Sequence, residues 1–190
     1  MLPFQLSFIT GQSDPQGHAL SPAQEDFLAA LPGRPEWKLR RNFPWREQTP
    51  PWRDTHLVAA SISNYLQYLS AQRRSFARRH REDLEAWAGR AEHHILFAGS
   101  CGLELLRRLD PPESLWPRLH VFAFGPVVRA AVPWRLYTVQ GRGDWISKLY
   151  VKQPDARVAA NHMSYLEDPE VRRLAAVFVE DVLGSAKIQP

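Results

Sequence analysis

The sequence predicts an α/β fold, with a mostly parallel central sheet and helices on both faces. The chain opens with a strand, a helix and a second strand, as parallel α/β sheets do. Later strands are short and wholly apolar, which is typical of strands that are covered on both faces. The 190 residues suffice for one domain with a sizeable core, so we expect a single domain over residues 1–190.

The first elements are marked by apolar runs and by residues that start or stop helices. Residues 4–10 form an apolar run and predict the first strand, which a loop rich in glycine and proline follows. Ser21-Pro22 is a favourable helix start, and Pro32-Gly33 ends that helix. Residues 36–43 alternate between apolar and polar side chains, which predicts a strand with one wetter face.

The next two segments differ sharply in composition. Residues 44–53 hold three prolines and two tryptophans, a composition that excludes regular structure. This segment is either a loop over the core or the apolar wall of a cleft, with Trp45 and Trp52 as substrate contacts. Residues 56–89 predict the longest helical region, because apolar side chains recur near helical spacing. Its charges, basic from residue 73 and then acidic, favour a solvated helix face.

The second half predicts strands that alternate with helices. The predicted strands are residues 95–98, 120–125, 136–139 and 158–160. A helix follows the first of them and buries its leucines, while Arg107 and Arg108 are expected to face water. A helical turn is predicted over residues 146–150. The last helix is expected to start at residues 168–170 and to end at Gly184.

The first of these strands leads into a tight turn of small residues, Ala98-Gly99-Ser100-Cys101-Gly102. A side chain raised from a strand-to-helix turn strains the neighbouring backbone, so only small residues fit beside it. The following helix start offers free N–H groups to a developing negative charge. The segment resembles the nucleophile elbow of the α/β-hydrolase family, whose usual pattern is Gly-x-Ser-x-Gly. Ala98 stands in place of the first glycine.

The resemblance implies a triad in the chain order serine, acid, histidine. Ser100 follows the strand over residues 95–98, Asp144 lies in a glycine-rich loop after the strand over residues 136–139, and His162 follows the last strand. Loops at the carboxyl ends of parallel strands meet at one crevice, so the three side chains are expected to converge. His162 is the only histidine after Asp144. We therefore predict Ser100 as nucleophile, His162 as base and Asp144 as its partner.

The resemblance also implies an oxyanion hole made of backbone N–H groups. One donor is expected from Cys101, the residue after the nucleophile, and the other from Gln12 or Gly11 in the loop after the first strand. Cys101 is the sole cysteine. As a nucleophile it would place Leu103 where the turn needs a small residue, which favours Ser100 instead.

The implied activity is hydrolysis of an ester or thioester in a small-molecule or carrier-linked acyl substrate. It needs no metal and no organic cofactor, and the sequence contains neither metal-ligand spacing nor a Gly-rich phosphate loop. The chain is short for this family, so we expect a compact hydrolase core without a large lid. The alternative is a non-catalytic binding protein that retains the hydrolase fold, which Ala98 favours.

Composition bears on partners and location. The net charge is +4, which suits an acidic partner as well as a merely basic surface. The basic residues are not interleaved with exposed aromatics, so no nucleic-acid partner is expected. No apolar run reaches about 18 residues, and the amino terminus looks like a strand rather than a signal peptide. With a single cysteine and no internal disulfide, these features favour a cytoplasmic protein without a membrane partner.

Overall fold

A computed structural model describes residues 1–12, 17–48, 50–53, 63 and 66–186. Its centre is one sheet of five parallel strands, which lie side by side in chain order. The strands are β1 (Leu2–Ile9), β2 (Ala91–Gly99), β3 (Leu119–Phe124), β4 (Arg135–Gly141) and β5 (Ala156–Val158). Because all five run in the same direction, their carboxyl ends form one edge of the sheet.

Helices pack against both faces of this sheet. They are α1 (Pro22–Ala30), α2 (Ser75–Arg79), α3 (Arg81–Ala88), α4 (Gly102–Arg108), α5 (Trp145–Tyr150) and α6 (Pro169–Ala186). On one face, α1 and α6 share a core with strand residues such as Phe97. On the other face, α2, α3 and α4 share a second core with residues such as Leu96. The predicted α/β class is therefore confirmed.

Helix α1 begins where the sequence predicts. The Gln24 N–H donates to Ser21 Oγ at 3.3 Å, and the Ser21 N–H donates to Gln24 Oε1 at 2.9 Å. This reciprocal capping satisfies two backbone donors that the first helical turn leaves free. Pro22 occupies the first turn, where its missing N–H costs nothing.

The strand predicted over residues 36–43 is not formed. Pro35–Trp37 is a 3₁₀ turn, and the segment then pairs with β1 in a single isolated bridge, between Leu6 and Lys38. Farther along, the Asn42 carboxamide accepts the Thr10 N–H at 2.9 Å. Pro35 favours the turn, and the hydrogen bond from the Thr10 N–H to Asn42 takes the place of further backbone pairing with β1. An alternating sequence pattern is therefore present here without a strand.

The helix predicted over residues 56–89 is interrupted in its described part. Residues 54–62 and 64–65 lie outside the described residues, and with them the proposed apolar positions 57, 62 and 65. Residues 66–71 are helical, and α2 and α3 follow after separate turns. Ala71 and Phe76 are both buried but five residues apart, a spacing that one straight helix cannot keep on one face.

Arg107 and Arg108 do not simply face water. Arg107 Nη2 lies 2.7 Å and Arg108 Nε 2.9 Å from Glu104 Oε1, and the Glu104 side chain is fully buried. The Arg129 N–H also donates to Glu104 Oε2 at 3.1 Å. Burial alone would raise the pKa of Glu104, but these hydrogen bonds outweigh it and lower the pKa to about 2.

Other boundaries move by a few residues, and β2 begins at Ala91 rather than at residue 95. The last strand is Ala156–Val158 rather than residues 158–160, and α6 passes through Gly184 to Ala186. No atom lies within 4 Å of the place that a Gly184 Cβ would take, so this glycine marks no close approach. Within the described ranges, no helix has the length and hydropathy needed to cross a membrane.

Candidate active site

Ser100 lies in a strained turn between β2 and α4. Its φ is +51°, a left-handed conformation that side chains other than glycine rarely adopt. A Cβ on Gly102 would come within 1.9 Å of the Ile9 carbonyl oxygen, so only glycine lets α4 start this close to β1. A Cβ on Gly99 would meet the Phe124 ring at 2.7 Å. Ala98 is fully buried within β2, where the core accommodates its methyl group.

The three residues predicted as a triad lie in one hydrogen-bonded chain. Ser100 Oγ is 3.0 Å from His162 Nε2, and His162 Nδ1 is 2.9 Å from Asp144 Oδ2. An ionised carboxylate accepts a proton donor at Nδ1, which leaves Nε2 free to accept the serine hydroxyl. The chain joins the loops that follow β2, β4 and β5, as the parallel topology requires. The His162 side chain is 19% exposed, so solvent reaches the site.

Asp144 is fully buried and fixed by three donors. Besides His162, the Ser147 N–H donates to Oδ1 at 3.0 Å, so Asp144 also caps α5. The Tyr165 hydroxyl donates to Oδ2 at 2.7 Å. Burial alone would raise the pKa of Asp144, but the hydrogen bonds from His162, Ser147 and Tyr165 lower it below its ordinary value. The carboxylate is therefore an anion at neutral pH.

Tyr165 is a site residue that the sequence reasoning missed. Its phenol is 3% exposed and also accepts the Gly141 N–H at 2.7 Å. A Cβ on Gly125 would lie 2.6 Å from the Tyr165 ring and 3.0 Å from Asp144 Oδ2, so this glycine leaves room for both groups. Burial and the bond to Asp144 raise the pKa of Tyr165, which keeps it a donor. The sequence did offer a signal, because Gly125 follows β3 and Gly141 ends β4. A glycine at such a position indicates that another group packs closely against it, but not which residue supplies that group.

The predicted oxyanion donors differ in whether the backbone N–H already has a hydrogen-bond acceptor. The Cys101 N–H donates to no other residue in the described part of the chain. The Gln12 N–H already donates to Gln67 Oε1 at 2.8 Å, and Gln67 Nε2 donates back to Gln12 Oε1 at 2.8 Å. Burial raises the pKa of the Cys101 thiol to about 11, although the Gly11 N–H beside it opposes this. Cys101 is therefore a neutral thiol rather than a nucleophile at neutral pH.

The two tryptophans predicted as substrate contacts differ in position. Trp45 is 5% exposed, stacks on Trp87 at 4.5 Å and donates from Nε1 to the Phe8 carbonyl at 2.9 Å. Trp45 therefore packs in the core and does not form the wall of a cleft that the sequence predicts for it. Trp52 is 39% exposed, and its predicted contact with substrate stays a prediction.

A separate cavity of about 430 Å³ lies between α4, the loop after β3 and the loop after α5. Leu103, Leu136 and Tyr150 are among its lining residues, and the triad residues are not. Within the described ranges, no group of three or more histidine, cysteine, aspartate or glutamate side chains is arranged to hold a metal ion. Comparison with protein-family models and with curated proteins finds no match for this sequence.

Proposed function

We propose that the protein is a serine hydrolase of the α/β-hydrolase type, which cleaves an ester or thioester through an acyl-enzyme. The observation that carries this proposal is the hydrogen-bonded chain from Ser100 through His162 to Asp144. Ser100, where the chain starts, has a left-handed backbone conformation. Its distances are those expected between a nucleophile, its base and the group that orients the base.

In the first half-reaction, His162 Nε2 takes the hydroxyl proton while Ser100 Oγ bonds to the carbonyl carbon. The resulting imidazolium gives that proton to the leaving alcohol or thiol as the bond to the leaving group breaks. Water then attacks the acyl-enzyme with His162 again as base, which releases the acid and returns the proton to Ser100. Asp144 stays ionised throughout and stabilises the imidazolium.

The developing oxyanion needs N–H donors close to the turn. The Cys101 N–H, which precedes the first turn of α4, is available for this role. The Gln12 N–H can serve only when the substrate oxygen replaces Gln67 Oε1, which now occupies it. The carboxamide oxygen of Gln67 thus lies where the substrate oxyanion would accept the Gln12 N–H.

The proposed substrates are small-molecule or carrier-linked acyl esters or thioesters. Support comes from one short connection at the site, since only residues 142–144 join β4 to α5. Such a short connection leaves no room for a large lid at this position.

A fluorophosphonate probe tests the nucleophile directly. We expect covalent labelling of the wild-type protein and none of Ser100→Ala. Ser185→Ala changes an exposed serine on α6 and should label like wild type. A folded wild-type protein that resists labelling would instead identify a binding protein that retains the fold. If labelling succeeds, p-nitrophenyl esters of increasing chain length, assayed beside acyl-thioesters, define the substrate.

A further inference from the structure

Large apolar side chains are exposed immediately beside the proposed triad. Trp145 is 69% exposed and follows Asp144 in the chain, and Met163 is 71% exposed and follows His162. Leu149, also on α5, is 64% exposed. We call Trp145, Leu149 and Met163 the apolar rim. Single exposed apolar residues are ordinary on protein surfaces, but a group of three beside a reactive site is not.

Helix α5 presents two rim residues on one side. Trp145 and Leu149 are four residues apart and therefore neighbours on the helix surface. The opposite side of α5 is held to the protein by Ser147, which is fully buried and accepts a hydrogen bond from Gln140 Nε2 at 3.2 Å. The rim thus projects from a helix that is fixed in orientation.

Four exposed cations lie on α5 or close to it, namely Arg142, Lys148, Lys152 and Arg157. A chain of hydrogen bonds holds them together, because Lys148 Nζ donates to the Arg142 carbonyl at 2.6 Å and Lys152 Nζ to the Lys148 carbonyl at 2.8 Å. Arg157 Nη2 donates to the Lys152 carbonyl at 3.3 Å. None of the four is ion-paired with a carboxylate in the described part of the chain.

The two neighbouring acids pair with none of these cations and offset only part of their charge. Asp144 is buried in the site, and Asp155 directs Oδ2 to the N–H and hydroxyl of Thr138 at 2.7 and 2.6 Å. The surface therefore combines projecting apolar side chains with unpaired cations, a combination that anionic lipid headgroups and the acyl region below them can both satisfy.

We propose that the apolar rim and its four cations dock on an anionic phospholipid surface, which would present acyl esters to Ser100. The rim side chains project well into solvent instead of lining a shaped pocket, which suits a fluid interface better than a fitted protein partner. Tryptophan is also one of the side chains enriched at the headgroup level of membranes. The substrate part rests on the proposed function, whereas docking itself does not.

This inference differs from the sequence expectation of no membrane partner. That expectation came from the absence of a long apolar run, which tests for a segment that spans a bilayer. A docking surface needs no such run. Here Trp145 and Met163 are 18 residues apart in the sequence, and each follows one partner of the hydrogen bond between Asp144 and His162.

Co-sedimentation with lipid vesicles tests the docking step. The probes are vesicles of phosphatidylcholine alone and of phosphatidylcholine with an equal part of phosphatidylglycerol. We expect the wild-type protein and Ser100→Ala to sediment equally with the anionic vesicles and not with the neutral ones. Lys148→Glu should lower the vesicle partition coefficient at least about fivefold, since each cation near such a surface contributes a factor of that order.

Two controls isolate the surface. Arg118→Glu changes the net charge equally but lies before β3, at the opposite edge of the sheet, and should bind like wild type. Trp145→Ser with Leu149→Ser should lose binding, whereas Val177→Ser, at a 50% exposed position on α6, should keep it. Unchanged binding in the double variant, or equal loss in Arg118→Glu, would overturn the proposal.

The remaining outcomes also decide the matter. No binding to either vesicle overturns docking on lipid and leaves an acidic protein as the occupant. Concentration-dependent dimerisation that the double variant abolishes assigns the surface to a second copy of the chain and overturns the proposal as well. Fluorophosphonate labelling is scored separately, so vesicle binding without labelling contradicts the proposed hydrolase while docking stands.

Discussion

At the residue scale, the site centres on one buried carboxylate. Asp144 accepts hydrogen bonds from His162, the Ser147 N–H and Tyr165, and the cap that fixes it also starts α5. A carboxylate held this way keeps the imidazole proton on Nδ1, so that Nε2 can accept a hydrogen bond from the Ser100 hydroxyl. The same three contacts therefore fix the orientation of the Asp144 carboxylate and keep it ionised.

Replacing that carboxylate should abolish most of the proposed activity. Asp144→Asn keeps the size of the side chain but removes the charge and favours the wrong imidazole tautomer. We expect kcat for ester hydrolysis to fall by about four orders of magnitude, with a small change in KM. Steady-state kinetics measure this, and circular dichroism checks folding. A folded variant with kcat within tenfold of wild type would remove Asp144 from the mechanism.

Tyr165 should matter through Asp144 rather than through the substrate. Tyr165→Phe keeps the packed ring but removes the donor to Asp144 Oδ2 and the acceptor of the Gly141 N–H. We expect kcat/KM to fall roughly tenfold, equivalent to ~1.4 kcal/mol, mostly in kcat. The matched control is Tyr137→Phe, which removes a hydroxyl from a half-buried ring stacked on Phe122. Equal losses in both variants would show that the effect is not specific to the bond with Asp144.

At the element scale, the position of Ser100 depends on how closely α4 approaches β1. Gly102 allows the contact with the Ile9 carbonyl, and Glu104 in the same first turn ties α4 to the loop after β3 through the Arg129 N–H. The turn is thus held from both neighbouring strands. A small displacement of α4 would move both Ser100 and the Cys101 N–H.

Gly102→Ala should therefore destabilise the protein. The added Cβ overlaps the Ile9 carbonyl oxygen, so α4 must shift at a cost of about 1–3 kcal/mol or more in the free energy of unfolding. The control is Gly184→Ala, inside α6 with open space around it, which should raise the free energy of unfolding by up to about 1 kcal/mol. Urea titration measures both. Equal stability of the two variants would contradict the proposed close contact.

At the scale of the whole molecule, buried titratable groups couple stability to pH. Burial lowers the pKa of both His94 and His120 to about 4 from an ordinary value of 6.5. The folded state then binds fewer protons than the unfolded state between these values. The stability that these two neutral histidines contribute is therefore fully present above pH 6.5 and is lost as the pH falls toward 4. Glu104, with its lowered pKa, adds a further loss below its ordinary value of 4.5.

Urea unfolding at pH 7, 6 and 5 tests this coupling. His94 is fully buried and donates from Nε2 to the Ala88 carbonyl, and it alone should remove about 2 kcal/mol between pH 7 and 5. His94→Gln keeps a donor without the titration, so its stability should vary less over this range. If the wild type and His94→Gln show the same pH dependence, His94 is not the cause.

The elements that the sequence located well are those with strong local signals. Residues 95–98 of β2 and most of β3 are apolar runs, and α1 carries its own capping residues, so local sequence marks all three. Elsewhere local signals misled, because an alternating pattern also fits the 3₁₀ turn and bridges around Lys38. The break before Phe76 likewise reflects packing that the helical period alone does not encode.

The sequence by itself determined the α/β class, the small residues of the turn around Ser100 and the chain order of Ser100, Asp144 and His162. In a parallel sheet, the position of each residue after the carboxyl end of a strand suffices to place their loops at one edge. Only the tertiary structure decided which distant polar groups satisfy each other, as Tyr165 does for Asp144 across 21 residues and Gln67 for Gln12 across 55. The reason is physical, since sequence patterns report burial and local backbone geometry, whereas a buried hydrogen bond depends on where two remote segments meet.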